Sequence, residues 1–215
     1  MKTDPYRHIA PRYDHLIEPL NRGLRSIGMK MFPPRAGMSV LDIGCGTGTH
    51  LSLYQKAGCR VFGIDRSPSM LSKARERLGA DAGLVLGDAT EMPWPDNKFD
   101  LVLTMAALHE MPADTRMAVI GESMRVLKGD GRILLIDFHP GPLRPWKGWM
   151  TKGLITVIET LAGREHFRNY RHFITNDGLP GLISAHRLSI EKDKILSGGN
   201  IGIFLLTPEH PSRTT

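Results

Sequence analysis

Val40-Leu41-Asp42-Ile43-Gly44-Cys45-Gly46-Thr47-Gly48-Thr49-His50 decides the fold of this 215-residue chain. Val40 to Ile43 reads as a short buried strand. Three glycines at alternate positions follow, and Thr49 to Lys56 reads as a helix. Glycine lets the backbone turn through positive φ and approach a ligand closely. The helix start offers unpaired N–H groups and the positive end of a dipole. Glycines also make tight corners for structural reasons alone, but three of them between a strand and a helix favour a cradle for a small molecule.

The spacing narrows the ligand. A dinucleotide fingerprint is G-x-G-x-x-G, and its third glycine, counted from Gly44, would fall at Thr49. The pattern present is Asp-x-Gly-x-Gly-x-Gly, with Asp42 inside the strand. A carboxylate there suits a ligand with a positive group, such as an ammonium, better than a pyrophosphate.

Outward from this stretch the chain alternates strand and helix. Arg60 to Asp65, Ala82 to Leu86, Phe99 to Met105 and Arg132 to Phe138 read as further strands. Ser67 caps a helix that starts at Pro68 and runs to about Leu78, and Pro112 to Leu127 reads as the next. Such alternation predicts a parallel, doubly wound α/β sheet. A helix from about Asp177 to Ala185 precedes two strands, Leu188 to Leu196 and Ile201 to Leu206. The short Ser197-Gly198-Gly199-Asn200 link makes that pair an antiparallel hairpin. The expected fold is a Rossmann-like, seven-stranded, mostly parallel sheet with an antiparallel C-terminal hairpin and helices on both faces.

Two segments lie outside this rhythm. Ile9, Tyr13, Leu16, Ile17, Leu20, Leu24, Ile27 and Met31 form a helical stripe, which Pro11 and Pro19 should split. Residues 139–172 carry Trp146, Trp149, Met150, Leu154, Ile155, Val157, Ile158 and Leu161 at helical spacing. The expectation is one domain over 1–215, with 1–36 as a helical cover and 139–172 as a helical insertion after the fifth strand.

The net charge of +6 is uneven. Residues 1–35 hold seven Arg/Lys against three Asp/Glu, residues 139–172 hold six against two, and the remainder nets −2. Two solvated helical faces account for this; so does an anionic partner near both. No apolar run reaches the roughly 18 residues of a membrane span, and the first residues do not lead into an apolar signal core. The location expected is cytoplasmic. Neither a structural disulfide between Cys45 and Cys59 nor a metal site is expected, since no Cys/His cluster has zinc-ligand spacing.

The glycine loop resembles the first motif of class I S-adenosylmethionine (SAM)-dependent methyltransferases. The resemblance continues through Asp65, Gly87-Asp88-Ala89, Phe99-Asp100-Leu101-Val102-Leu103, Ala107-Leu108-His109 and Arg125 to Gly131, so it spans Val40 to about Phe138. At that last turn the family's lysine-proline-glycine-glycine is replaced by Lys-Gly-Asp-Gly. Tyr13-Asp14 and the Pro93 to Asp100 loop are similar to the ubiquinone/menaquinone-biosynthesis (UbiE-like) group, and a phospholipid methyltransferase is the neighbouring resemblance. Asp65, 21 positions after Gly44, can accept bonds from two ribose hydroxyls or cap the following helix. By resemblance, Asp88 meets the adenine amine and the Ala89 N–H a ring nitrogen. Asp42, Gly44, Cys45, Gly46, Gly48, Arg66, Met70 and Met105 complete the implied SAM contacts, and Tyr13 is a lid contact at the amino-acid end. His109, after the fourth strand, is a candidate base or orienting donor, and equally a packing residue. His50 is expected to be structural.

The function implied is direct in-line transfer of a methyl group from SAM, leaving S-adenosylhomocysteine, to a small or lipophilic acceptor. The fourth strand lacks the Asn/Asp-Pro-Pro-aromatic motif of amino-methylating nucleic-acid enzymes, so nucleic acid is disfavoured. The two basic segments favour an acceptor with an anionic portion. Aromatic and basic residues across 143–162 suit a peripheral membrane contact, or an ordinary lid helix. The rivals are a SAM-binding module without transfer activity, a nucleic-acid methyltransferase, and an NAD-dependent oxidoreductase disfavoured by Thr49 and Asp88.

Overall fold

The computed structural model describes residues 4, 6–7, 10–144 and 146–209, without the side chains of 11–20. Seven strands form one sheet: β1 (Ser39–Ile43), β2 (Arg60–Asp65), β3 (Gly83–Leu86), β4 (Phe99–Met105), β5 (Leu127–Phe138), β6 (Leu188–Leu196) and β7 (Ile201–Pro208). Their order is β3-β2-β1-β4-β5-β7-β6. The first five are parallel, and β7 runs antiparallel between β5 and β6. This is the expected mixed sheet, closed by the expected hairpin at Ser197 to Asn200.

The central strands are apolar on both sides because both sides are covered. Leu41, Ile43, Val102, Ile133 and Leu135 join one core with Val119 and Ile120 of α4 (Ala113–Val126), Phe173 of α6 (Arg164–Thr175) and Leu182 of α7 (Gly178–Ala185). Val40, Leu101, Leu103, Leu134 and Ile136 join the other with Leu51 and Tyr54 of α2 (Thr49–Lys56), Leu71 and Leu78 of α3 (Pro68–Leu78), and Leu24 and Ile27 of α1 (Ala10–Met31). Alternate residues of each strand thus feed opposite faces. Cys45 and Cys59 are both free and buried.

Two local expectations are corrected. Helix α1 runs unbroken through Pro11 and Pro19. Pro11 falls in the first turn, where no N–H partner is needed, and Pro19 removes one bond from a helix that continues past it. The Ile9 to Leu20 part of the stripe lies outside the described side chains. Lys128-Gly129-Asp130-Gly131 is not a free turn. Leu127 already pairs with Phe99, and the register then jumps to Leu101 opposite Arg132, so β5 takes in the four residues as an irregularity. The 139–172 segment holds two helices: α5 (Lys147–Leu161) and α6 break at Gly163, whose φ of 118° is outside the helical range.

Helix α5 is inside out. Glu159 is buried while Trp146 at its start is 79% exposed, Trp149 63% and Leu161 81%. Met150, Leu154, Val157 and Ile158 are exposed with them.

Candidate functional site

The glycine loop joins β1 to α2 at the carboxyl edge of the sheet, where ligands bind in open α/β folds. Gly44, Gly46 and Gly48 all have positive φ, at 69°, 52° and 73°. Their reasons differ. A Cβ on Gly44 would lie 2.9 Å from the Ala107 Cβ, and one on Gly48 would lie 2.9 Å from Leu78 Cδ1 and 3.3 Å from the Ala74 backbone. Those two glycines are required by the chain itself. A Cβ on Gly46 would meet nothing within 4 Å. The space above Gly46 is open, and the turn's positive φ alone favours glycine there.

Asp65 ties the loop to the end of β2. Its Oδ2 accepts from the Gly46 N–H at 2.8 Å and its Oδ1 from the Ser67 N–H at 2.8 Å. Burial pushes its carboxyl pKa up, and those backbone bonds work the other way. Asp65 thus links the glycine loop to the turn into α3, while the cap itself is Ser67. Ser67 caps α3, accepting from the Met70 N–H at 3.1 Å. Gly44 and Cys45 donate to the Ile64 carbonyl at 2.9 and 3.3 Å, which holds the loop against β2.

The other residues expected around the cofactor separate into surface and interior. Asp88 is exposed beyond β3; its Oδ1 accepts from the Thr90 N–H and hydroxyl at 3.0 and 2.9 Å, and Arg66 stands 4.0 Å from its other oxygen. Those Thr90 bonds hold its pKa below the usual carboxylate value. Ala89 is buried beside it, and Met105 is buried at the end of β4. Met70 and the Cys45 side chain point into the core. Asp42 is only 3% exposed. Burial raises its pKa well above the usual value against the pull of Arg25, with Asp65 adding to the rise. It lies beneath the loop rather than on its open side. Tyr13 lies outside the described side chains. His50 is buried with neither ring nitrogen bonded, and burial lowers its pKa to about 3.

His109 sits in a 3₁₀ turn, Leu108–Glu110, two residues beyond the Ala107 that meets Gly44. Its Nδ1 lies 2.7 Å from Asp137 Oδ1. Asp137 Oδ2 accepts from the Leu108 and His109 N–H groups at 2.9 and 3.3 Å. The ring's Nε2 faces Glu159 Oε2 of α5 at 3.6 Å, and that same oxygen lies 2.5 Å from His166 Nε2 of α6. Burial disfavours a charged His109, but Asp137, then Glu110 and Glu159, outweigh it and raise the pKa to about 9. Those carboxylates favour the charged ring, whereas a base needs Nε2 free of its proton.

Sequence reasoning missed Asp137, Glu159 and His166, and also the N-terminal latch. Asp4 accepts from the Ser67 hydroxyl at 2.9 Å and the Ser69 N–H at 3.0 Å, and the Tyr6 hydroxyl donates to Glu110 Oε2 at 2.7 Å. A signal existed for two of these: Asp137 ends an apolar strand as Asp65 does, and Glu159 interrupts an apolar helix.

A methyltransferase-domain family model matches residues 40–131. The chain is 32% identical over 158 residues to a demethylmenaquinone methyltransferase from Paenarthrobacter aurescens, covering 72% of this chain and 61% of that protein's length. It is 37% identical over 171 residues to an uncharacterized methyltransferase from Synechocystis, covering 78% of this chain and 74% of the relative. The solved structure of 1,6-didemethyltoxoflavin-N1-methyltransferase from Burkholderia thailandensis, with S-adenosylhomocysteine bound, superposes with a TM-score of 0.66 at 17% identity, over 95% of this chain and 84% of that one. The motif set, the strand order and these relatives agree: the chain belongs to the class I SAM-dependent methyltransferase family, near the demethylmenaquinone methyltransferases.

Proposed function

We propose that this chain transfers a methyl group from SAM to a lipophilic acceptor of the quinone class, taken up at an anionic membrane surface. SAM, when bound, supplies a methyl group already activated by its sulfonium. The space above Gly46 takes the cofactor, and it fits: beyond the glycine that its positive φ already favours, no part of the chain fills that space, so a ligand can approach the backbone closely. Asp65 accepts from the ribose hydroxyls with the lone pairs its two backbone bonds leave. Asp88 and Ala89 meet the adenine, and Arg66 and Met105 flank it. Met70 and Cys45 support the pocket from the core side, as do Gly44 and Gly48. Asp42 supports the loop from its buried place in β1.

The protein's work is then to hold the acceptor in line behind the methyl group and keep water out. Positioning of this kind lowers a barrier by up to ~7–11 kcal/mol in favourable cases. The Asp137-anchored His109 orients the acceptor end of the site as a fixed cation or donor.

The observation that carries the acceptor class is the outward apolar face of α5, with Trp146, Trp149, Leu154 and Leu161 exposed. Helix α5 follows β5 at the same edge of the sheet as the loop. Lys152 lies 5.6 Å above the Trp149 ring, so charge and aromatic surface share one face. Tryptophan beside lysine is the make-up of an interfacial helix. Among the described residues, no helix is long and apolar enough to cross a membrane, so the contact is peripheral. The relatives' name supplies the quinone class, and the basic excess of 1–35 and 139–172 supplies the preference for an anionic surface.

The test is S-adenosylhomocysteine formation with a demethylated quinol presented in vesicles. Turnover should rise with anionic lipid content and fall at high salt, since each Lys or Arg near such a surface contributes about 1 kcal/mol. A Trp146→Ala/Trp149→Ala variant should lose vesicle binding while keeping SAM affinity. Equal co-sedimentation of that variant with anionic vesicles refutes the membrane reading, and no product with any quinol refutes the acceptor class.

A further inference from the structure

Behind the outward apolar side of α5 lies a cluster of which the proposed transfer uses only His109. His109 comes from the 3₁₀ turn after β4, Glu159 from the end of α5 and His166 from the first turns of α6. One nitrogen or oxygen from each lies within 4.8 Å of the other two. We propose that His109, Glu159 and His166 form a binding site for one divalent transition-metal ion of the zinc class, held by two imidazole nitrogens and one carboxylate.

The distances suit such an ion. Tetrahedral zinc with ligands at about 2.0–2.1 Å sets those ligand atoms roughly 3.3 Å apart. His109 Nε2 and Glu159 Oε2 are 3.6 Å apart. Glu159 Oε2 and His166 Nε2, now hydrogen-bonded at 2.5 Å, need to part by under about 1 Å. The link between their helices is the two-residue Ala162-Gly163 break, which can take up that shift.

The orientation of His109 is an independent sign. Its Nδ1 is fixed on Asp137 Oδ1 at 2.7 Å, and Asp137 is itself held by the Leu108, His109 and Phe138 N–H groups. A carboxylate on the far nitrogen is the usual support of a metal-binding histidine, and it turns the other nitrogen toward the ion. Here that nitrogen points at Glu159.

Burial and charge agree. Glu159 is 5% exposed on a helix whose outward face is apolar, and buried charges persist when they are paired or bind metal. Asp137, Glu159 and Glu110 place three carboxyl groups about the two rings, so a divalent cation entering with neutral imidazoles finds compensating charge. The two-nitrogen, one-oxygen set selects zinc-class ions over magnesium or calcium, which take oxygen donors. Three protein ligands leave a position for water or an acceptor oxygen, as in zinc sites that take part in chemistry. This site shares His109 with the proposed acceptor end, but its test reads metal binding and not methyl transfer, so the two can fail separately.

The full-length protein, stripped with a chelator, is titrated with Co²⁺ and then with Zn²⁺. The expected result is one Co²⁺ per chain, visible d–d bands of a low-coordinate nitrogen–oxygen site, and their loss on Zn²⁺ competition. Glu159→Gln and His166→Gln should each weaken binding roughly tenfold or more, with folding checked by circular dichroism. Should either variant fail to fold, wild-type crystals grown with Zn²⁺ are examined by anomalous scattering, which should place the ion between the three side chains. Absence of binding, equal affinity in folded variants, or an anomalous peak elsewhere overturns the proposal.

Discussion

Replacing Gly46 and Gly48 separately by alanine tests whether the two glycines serve different masters. Both have positive φ, 52° and 73°, and an L-residue in that region costs about 1–2 kcal/mol. For Gly46→Ala that is the whole structural cost, since the new methyl meets nothing within 4 Å. At about 2–4 °C per kcal/mol for a chain of this size, the melting temperature should fall by about 2–8 °C. For Gly48→Ala the methyl also lands 2.9 Å from Leu78 Cδ1 and 3.2 Å from Ala74 Cβ. Overpacking of that kind adds about 1–3 kcal/mol, so the total is about 2–5 kcal/mol, or about 4–20 °C. SAM binding should rank the other way. The Gly46 methyl fills the cradle, and the same overpacking range corresponds to roughly a 5- to 150-fold loss of affinity. Folded Gly48→Ala should bind nearly as well as wild type. Differential scanning calorimetry and isothermal titration with SAM read both quantities. Wild-type SAM affinity in Gly46→Ala, or a greater thermal loss there than in Gly48→Ala, refutes the assignment of the open space to the cofactor.

Asp65→Asn should weaken both the loop and the cofactor. Its two oxygens each accept from a backbone N–H, at Gly46 and Ser67, so either orientation of the amide sets a donor against a donor. Losing one bond to a charged group costs about 1.5–3 kcal/mol; an unchanged melting temperature and SAM affinity would show that these bonds carry nothing. His50 should make stability fall with acid. Its pKa in the folded chain is about 3 against an ordinary 6.5, because burial excludes the charged ring. The unfolded chain therefore binds a proton that the folded one refuses between those values. The stability contribution is complete above pH 6.5 and is lost as pH falls, about 2 kcal/mol by pH 5 at 1.36 kcal/mol per unit. Urea unfolding at pH 7.5 and pH 5 should show that much less acid loss in His50→Leu than in wild type, and equal losses would place the ring in water.

Much of the fold was legible along the chain because its causes are local. A strand covered on both faces is an uninterrupted apolar run, as Leu101 to Leu103 is. A turn through positive φ needs glycine, and a helix start needs a cap such as Ser67. Those short-range rules, repeated from Val40 to Phe138, specify the alternation from which a doubly wound sheet follows. The same rules misjudged Pro19 and the Lys128 to Gly131 turn. In each, packing of a long element onto the sheet outweighed a local preference of a few kcal/mol or less.

What the tertiary structure decided is which side chains meet, and which way a stripe faces. The spacing of Trp149, Leu154 and Leu161 marks a helix face equally well whether it packs inward or outward. Only the placement of α5, with Glu159 turned to His109, leaves that face outside. Asp137, His109, Glu159 and His166 belong to a strand, a turn and two helices, so no window of sequence contains them. Their convergence comes from chain segments distant in sequence folding onto one sheet edge. The motif in sequence could name the glycines of the loop. Which of those glycines the chain packs against and which stands open depended on Ala107, Leu78 and Ala74, residues brought beside the loop by β4 and α3.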